Sequence, residues 1–184
     1  MISLHPKPAE PVGFRQAMRQ LAGGVSVITA ANKDARTGMT ATSVISVSME
    51  PPELLMSVNE RSSSWPVIQA TRRFGVSVLP SHQSAVARRF SGQGGTKGEQ
   101  RFEGAQWHCT PDGVWLMIGA LVAFACEVVQ VYSHRGHALV IGQVTALSVP
   151  PHDTGPLIYW RGDYGLPSKL NEREIPSMEP SIQE

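Results

Sequence analysis

Three β-prone runs in the second half of the chain constrain its fold more than any other feature. Val114 to Ile118, Leu121 to Tyr132 and Ala138 to Val149 are rich in branched and aromatic residues, which suit a pleated, half-buried surface. Ser133-His134-Arg135-Gly136-His137 joins the last two runs and reads as a hairpin connection. Leu157 to Trp160 adds a short strand. The first half alternates with period two from Val25 to Ala30, turns at Asn32-Lys33-Asp34, and stays extended from Gly38 to Met49 until Pro51-Pro52. Leu54 to Val58 and Phe74 to Leu79 follow as strands.

Helices are few. Phe14, Ala17, Met18 and Leu21 recur at helical spacing opposite Arg15, Arg19 and Gln20, and Gly23-Gly24 should end that helix. Ser62-Ser63-Ser64-Trp65-Pro66 resembles a second helix start, and Ser81 to Phe90 a third with a serine cap. Seventeen glycines and fourteen prolines supply tight turns, with four of the glycines in a Ser91 to Gly98 segment expected to be mobile. This pattern predicts a mainly β domain, a closed barrel with a few short flanking helices over residues 12–170. Residues 1–11 should be a proline-rich arm and 171–184 a polar tail.

Charge and cysteines exclude several classes. A net charge of +1 argues against nucleic acid binding, which needs a basic face. The longest uncharged apolar stretch, Val114 to Cys126, is too short to span a bilayer, so no membrane segment is expected. Cys109 and Cys126 form no CxxC pair, which disfavours a zinc site and suits a reducing, cytoplasmic compartment. His134 and His137 fall on a hairpin rather than a helix, so no metal site is expected.

Hydroxyl density marks the candidate chemistry. Thr37, Thr40, Thr42, Ser43, Ser46 and Ser48 lie along one extended run, and Ser62, Ser63 and Ser64 stand where a helix begins. Serine hydroxyls with free amides can hold a phosphate. Composition alone favours the plainer reading, in which threonines suit strands and serines cap helices. Arg88-Arg89-Phe90 reads either as charge at a helix C-terminus or as an anion-binding pair beside an aromatic wall. Cys126 reads as buried and structural.

In order and spacing, residues 12–166 resemble the short-chain flavin reductase family, whose members are flavin-binding split β-barrels. The resemblance runs through Phe14-Arg15-Gln16-Ala17-Met18, Gly24-Val25-Ser26-Val27-Ile28-Thr29 and Gly38-Met39-Thr40-Ala41-Thr42-Ser43. It continues with Val47-Ser48-Met49-Glu50-Pro51-Pro52, Val58-Asn59, Phe74-Gly75-Val76-Ser77-Val78-Leu79, Arg101-Phe102, Ile141-Gly142-Gln143-Val144 and Pro156-Leu157-Ile158-Tyr159. The resemblance implies an NAD(P)H:flavin oxidoreductase that uses FMN or FAD, with NADH or NADPH as hydride donor. It further implies a homodimer that supplies reduced flavin to a partner monooxygenase. Thr40, Ala41, Thr42 and Ser43 would contact the isoalloxazine and ribityl chain, Val58 and Asn59 would line the pocket, and Ser62, Ser63 and Ser64 would receive the phosphate. Arg89 and Phe90 would reach the phosphate end or close the pocket, Tyr159 would form a wall, and His137 would stand beside the nicotinamide.

Arg135-Gly136-His137 replaces the family's Gly-Asp-His, and Ser77 replaces a frequent asparagine. Two alternatives stay open at this level. One is a barrel reductase that keeps its flavin and acts on a corrinoid, quinone or metal complex. The other is a flavin- or haem-binding protein without turnover.

Overall fold

The two longest β-prone runs pair as the longest hairpin of the computed structural model, which describes residues 8–151 and 154–168. The arm expected over residues 1–11 lies mostly, and the tail over 171–184 wholly, outside the described residues. Strands β9 (Val122–His134) and β10 (His137–Ser148) meet through Arg135-Gly136 alone. Both turn residues have positive φ, 48° and 81°, the geometry that matches strand twist in a two-residue hairpin. Gly136 takes it without steric cost.

The other strands are β1 (Gly23–Gly24), β2 (Ser26–Ala31), β3 (Arg36–Ala41), β4 (Val44–Met49), β5 (Pro52–Asn59), β6 (Arg73–Val78), β7 (Trp107–Cys109), β8 (Trp115–Met117), β11 (Ile158–Trp160) and β12 (Asp163–Gly165). Three helices are α1 (Pro11–Met18), α2 (Trp65–Thr71) and α3 (Ser84–Phe90). Seven strands form one antiparallel sheet in the order β3-β2-β6-β9-β10-β5-β4. The two edge strands, β3 and β4, are consecutive in the chain, so Thr42-Ser43 alone carries it from one edge to the other. The sheet therefore curls round without pairing its edges. The barrel is split rather than closed.

Both faces of β2 and β6 are covered. Ile28, Met56, Val58, Phe74 and Val140 pack inside the curl with Trp65 and Ile68 of α2. Val25, Val27, Leu79 and Ala125 pack outside it with Val86, Ala87 and Phe90 of α3. Cys126 is buried and unpaired, and that burial pushes its thiol up to about 12. No helix among the described residues is long and apolar enough to cross a membrane.

Several sequence expectations need correction. Helix α1 stops at Met18, and Gly23-Gly24 is a short strand against Tyr159 and Ile158 rather than a helix stop. A side chain at Gly23 would put its Cβ 3.0 Å from the Thr42 Cβ, so the glycine lets β1 lie against the link. The extended run from Gly38 to Met49 breaks at Thr42-Ser43. The flanking residue at the start of α3 is Gln83, and neither α2 nor α3 has a side-chain cap. The glycine-rich segment forms a 3-10 turn at Gln93–Gly95, with another at Gly98–Phe102.

Candidate functional site

An edge strand turns every second peptide group away from its sheet. In β3 those belong to Arg36, Gly38 and Thr40. The Arg36 N–H donates to Glu99, whose carboxylate is also 2.8 Å from the Arg36 Nε. These bonds hold the Glu99 carboxyl below its ordinary range. Gly38 C=O accepts from the guanidinium of Arg101. The 3-10 turn carrying Glu99 and Arg101 thus covers the first half of the edge. The outward peptide group of Thr40 and the whole Thr42-Ser43 link lie beyond that cover.

Two adjoining cavities open there. One, about 210 Å³, is lined by Thr40, Ala41, Thr42, Gln93, Tyr159 and Tyr164, among others. The second, about 620 Å³, shares Thr42 and Tyr159 with it and adds Ser43. Tyr159 and Tyr164 pack edge to face, 5.3 Å between ring centres. Burial raises the Tyr164 phenol above its ordinary range.

Across the split, Ser43 Oγ donates to Ser57 C=O at 3.3 Å and accepts from Ser57 N–H at 3.4 Å. That ties the link to β5 two residues before Asn59. Asn59 faces His137 in the β5–β10 register, and Val58 faces Ala138. His137 is exposed. The loop after β5 then returns to β3, because Thr37 Oγ1 lies 3.1 Å from Ser63 Oγ and 3.5 Å from Ser64 Oγ. Thr40 to Ser43, Asn59, His137 and Ser62 to Ser64 therefore follow one rim around the split.

The side chains divide by role. Thr40 donates its hydroxyl to Ala87 C=O at 2.6 Å, so it meets a ligand through its backbone. Val58 and Ser64 are fully buried. Ser62 Oγ is buried and has no partner among the described residues. A phosphate oxygen would satisfy it, so the cradle expected at Ser62 to Ser64 fits an anionic group. Phe90 departs from its expected place. It is 1% exposed, packs with Phe102 and Trp107, and lies under Gly38, so it supports β3 from below and forms no pocket wall. Arg89 Nη1 is likewise buried and unpartnered, against Gly104. Sequence reading missed Gln93 and Tyr164, which come from a glycine-rich turn and a three-residue strand.

A curled antiparallel sheet whose two unpaired edges flank a hydroxyl-rich cleft defines a split-barrel protein. The family described as "Flavin reductase like domain" matches residues 18–166, and the chain belongs to that family. The FADH(2)-dependent resorcinol hydroxylase reductase component of Rhizobium sp. (strain MTP-10005) is 38% identical over 168 residues, covering 89% of this chain and 92% of that protein. The flavin-dependent monooxygenase reductase subunit HsaB of Mycobacterium tuberculosis is 35% identical over 156 residues, covering 84% and 81%. Among solved structures, the NADH:FAD oxidoreductase SgcE6 of Streptomyces globisporus, in complex with NAD and FAD fragments, superposes with a TM-score of 0.80 at 25% identity. In that complex the match covers 90% of this chain and 98% of the other. The chain is an NAD(P)H-dependent flavin reductase.

Proposed function

We propose that the rim around the split binds flavin, with the ring beside Thr40 to Ser43 and Asn59 and the phosphate at Ser62 to Ser64. The observation that carries this reading is the orphaned, buried Ser62 Oγ at the end of a rim otherwise lined by peptide edges. A bound flavin accepts hydride from a reduced nicotinamide, so the protein's task is positioning, with reacting atoms about 3–3.5 Å apart. The outward N–H of Thr40 and the amides of the link are suited to stabilise charge that develops on the ring. Arg89, with its unpaired Nη1, adds positive potential from below, and Tyr159 forms a wall. His137, exposed beside Asn59, orients the nicotinamide.

Mixing the protein with NADH and FMN or FAD, and following loss of the dihydronicotinamide absorbance, tests this. Oxidation that depends on added flavin is the expected result. A bound flavin that NADH cannot reduce would overturn it. His137→Ala should raise the KM for NADH about 3- to 10-fold, the worth of one neutral contact, without weakening flavin binding. An unchanged KM would remove His137 from the site.

Reduced flavin is proposed to pass to a partner monooxygenase, as the names of the two curated relatives support. The open cleft also suits a flavin that leaves. A homodimer is supported by an uncovered apolar row on the outer sheet face. Ile45 of β4 pairs with Leu55, which pairs with Ile141, and Leu139 and Tyr132 stand beside them. Ile45 and Tyr132 are more than half exposed and Leu139 is open beside them, an exposed apolar patch of the kind that marks an interface. Sedimentation should give a dimer for the parent and a monomer for Ile45→Asp/Leu139→Asp. A monomeric parent would refute the interface. The two free thiols support placing the protein in the reducing cytoplasm.

A further inference from the structure

The larger cavity beside the link carries a charge pattern that flavin binding does not use. Arg15 of α1, Arg19 just past its end and Arg161 after β11 line its wall, and no carboxylate among the described residues does. Only two salt bridges occur among the described residues, Arg36–Glu99 and Arg88–Asp163, and neither involves these three arginines. Arg15 in α1 and Arg19, the residue that ends it, stand four apart at helical spacing, where like charges repel. Helix α1 buries none of its residues, so packing does not require them there. Arg161 is held by its neighbours: its N–H donates to Arg19 C=O at 2.9 Å, its Nε donates to Gln20 Oε1 at 3.2 Å, and its guanidinium stacks 4.3 Å over Trp160. The Arg19 guanidinium carbon lies 3.7 Å from where a side chain at Gly162 would begin, so Arg19 and the Arg161-Gly162 turn share one corner of the cavity. In a protein of net charge +1, three cations converge on about 620 Å³ whose lining, among the described residues, holds no carboxylate.

The geometry points to a binding site for the pyrophosphate of the nicotinamide dinucleotide. This rests on the flavin orientation proposed above. With the flavin phosphate at Ser62 to Ser64, the Thr42-Ser43 end of the cleft belongs to the ring, and the arginine cavity opens at that end. A donor whose nicotinamide lies on the flavin ring would extend its diphosphate toward Arg15, Arg19 and Arg161. Guanidinium forks suit phosphate oxygens, and the exposed rings of Tyr159 and Trp160 give the adenosine half an apolar surface. The adenylate of FAD has the same chemistry, and the test separates the two sources.

Steady-state oxidation is measured with NADH, with NADPH and with N-benzyl-dihydronicotinamide, a donor without phosphate, using FMN and then FAD as acceptor. Arg15→Gln/Arg19→Gln should raise the KM for both dinucleotides by about ten-fold or more, the worth of a charge-assisted bond. The KM for the truncated donor should stay at the parent value, and Arg15→Lys/Arg19→Lys should restore part of the loss. In the unmodified protein, added salt should raise the KM for NADH and leave that for the truncated donor flat, which needs no variant to fold. A KM that rises equally for all three donors, or only for FAD as acceptor, would overturn the assignment. So would a NADH KM indifferent to both salt and substitution. If the parent oxidised neither NADH nor the truncated donor in the presence of flavin, the reductase reading itself would fall.

Discussion

Phe90→Ala is expected to lower stability by about 3–5 kcal/mol, the usual cost of emptying an aromatic site in a core. The ring is fully buried and packs against Phe102 at 5.1 Å and Trp107 at 5.4 Å between centroids. A Cβ on Gly38 would lie 2.5 Å from its Cε1, so ring and strand backbone are in direct contact. Around this cluster the β3 edge is fastened by Arg36, whose guanidinium sits 4.4 Å from the Phe102 ring centre and 4.3 Å from that of Trp115. Removing the ring leaves a cavity beneath the strand that presents Thr40 and Ala41. Flavin affinity should therefore fall as a consequence of lost order in β3. Phe90→Leu, which refills most of the volume, should recover much of both. Urea unfolding and flavin fluorescence quenching measure the two effects. If Phe90 instead walled the pocket, alanine would weaken flavin binding with little loss of stability, and leucine would not help.

That contrast shows what the residues alone could and could not say. An Arg-Arg-Phe run at a helix end reads equally well as core or as pocket, because periodicity fixes which face a residue shares and not what packs there. Strands β2, β6, β9 and β10 were legible from alternation and turn chemistry: β2 and β6 are buried on both faces, and β10 alternates between a buried and an open one. The break at Thr42-Ser43 was not. Threonine and serine continue a strand pattern as readily as they interrupt one, and only the arrival of the sheet's second edge stops the pairing there. Three-residue strands such as β7 and β12 are too short to show a period. Helix α1 presents Val12, Phe14 and Met18 to solvent within one chain, and Leu21 beyond its end is open as well. Its periodicity was readable, but spacing alone does not say what the apolar face meets. The arginine cavity was hidden for a different reason. Arg15 and Arg161 stand at opposite ends of the sequence, and only the β1–β11 pairing brings them together.

The hydroxyls at Ser62 to Ser64 supply the sharpest test of the flavin reading, because folding and binding should respond in opposite directions. Ser62 Oγ is buried without a partner, which costs the empty protein desolvation energy that nothing repays. Ser62→Ala should therefore leave the ligand-free fold as stable as before or slightly more so. Ser63 Oγ, 3.1 Å from Thr37 Oγ1, is already partnered and exposed, so its removal should cost little stability as well. Binding should suffer. A hydrogen bond to a charged group is worth about 1.5–3 kcal/mol, or about 10- to 100-fold in Kd at 1.4 kcal/mol per ten-fold. Ser62→Ala alone should weaken FMN by an amount in that range, and Ser62→Ala/Ser63→Ala by more. Riboflavin, which lacks the phosphate, should bind parent and variants alike. Equal weakening of FMN and riboflavin would mean that the serines shape the ring pocket, and an FMN affinity indifferent to both changes would move the phosphate elsewhere on the rim.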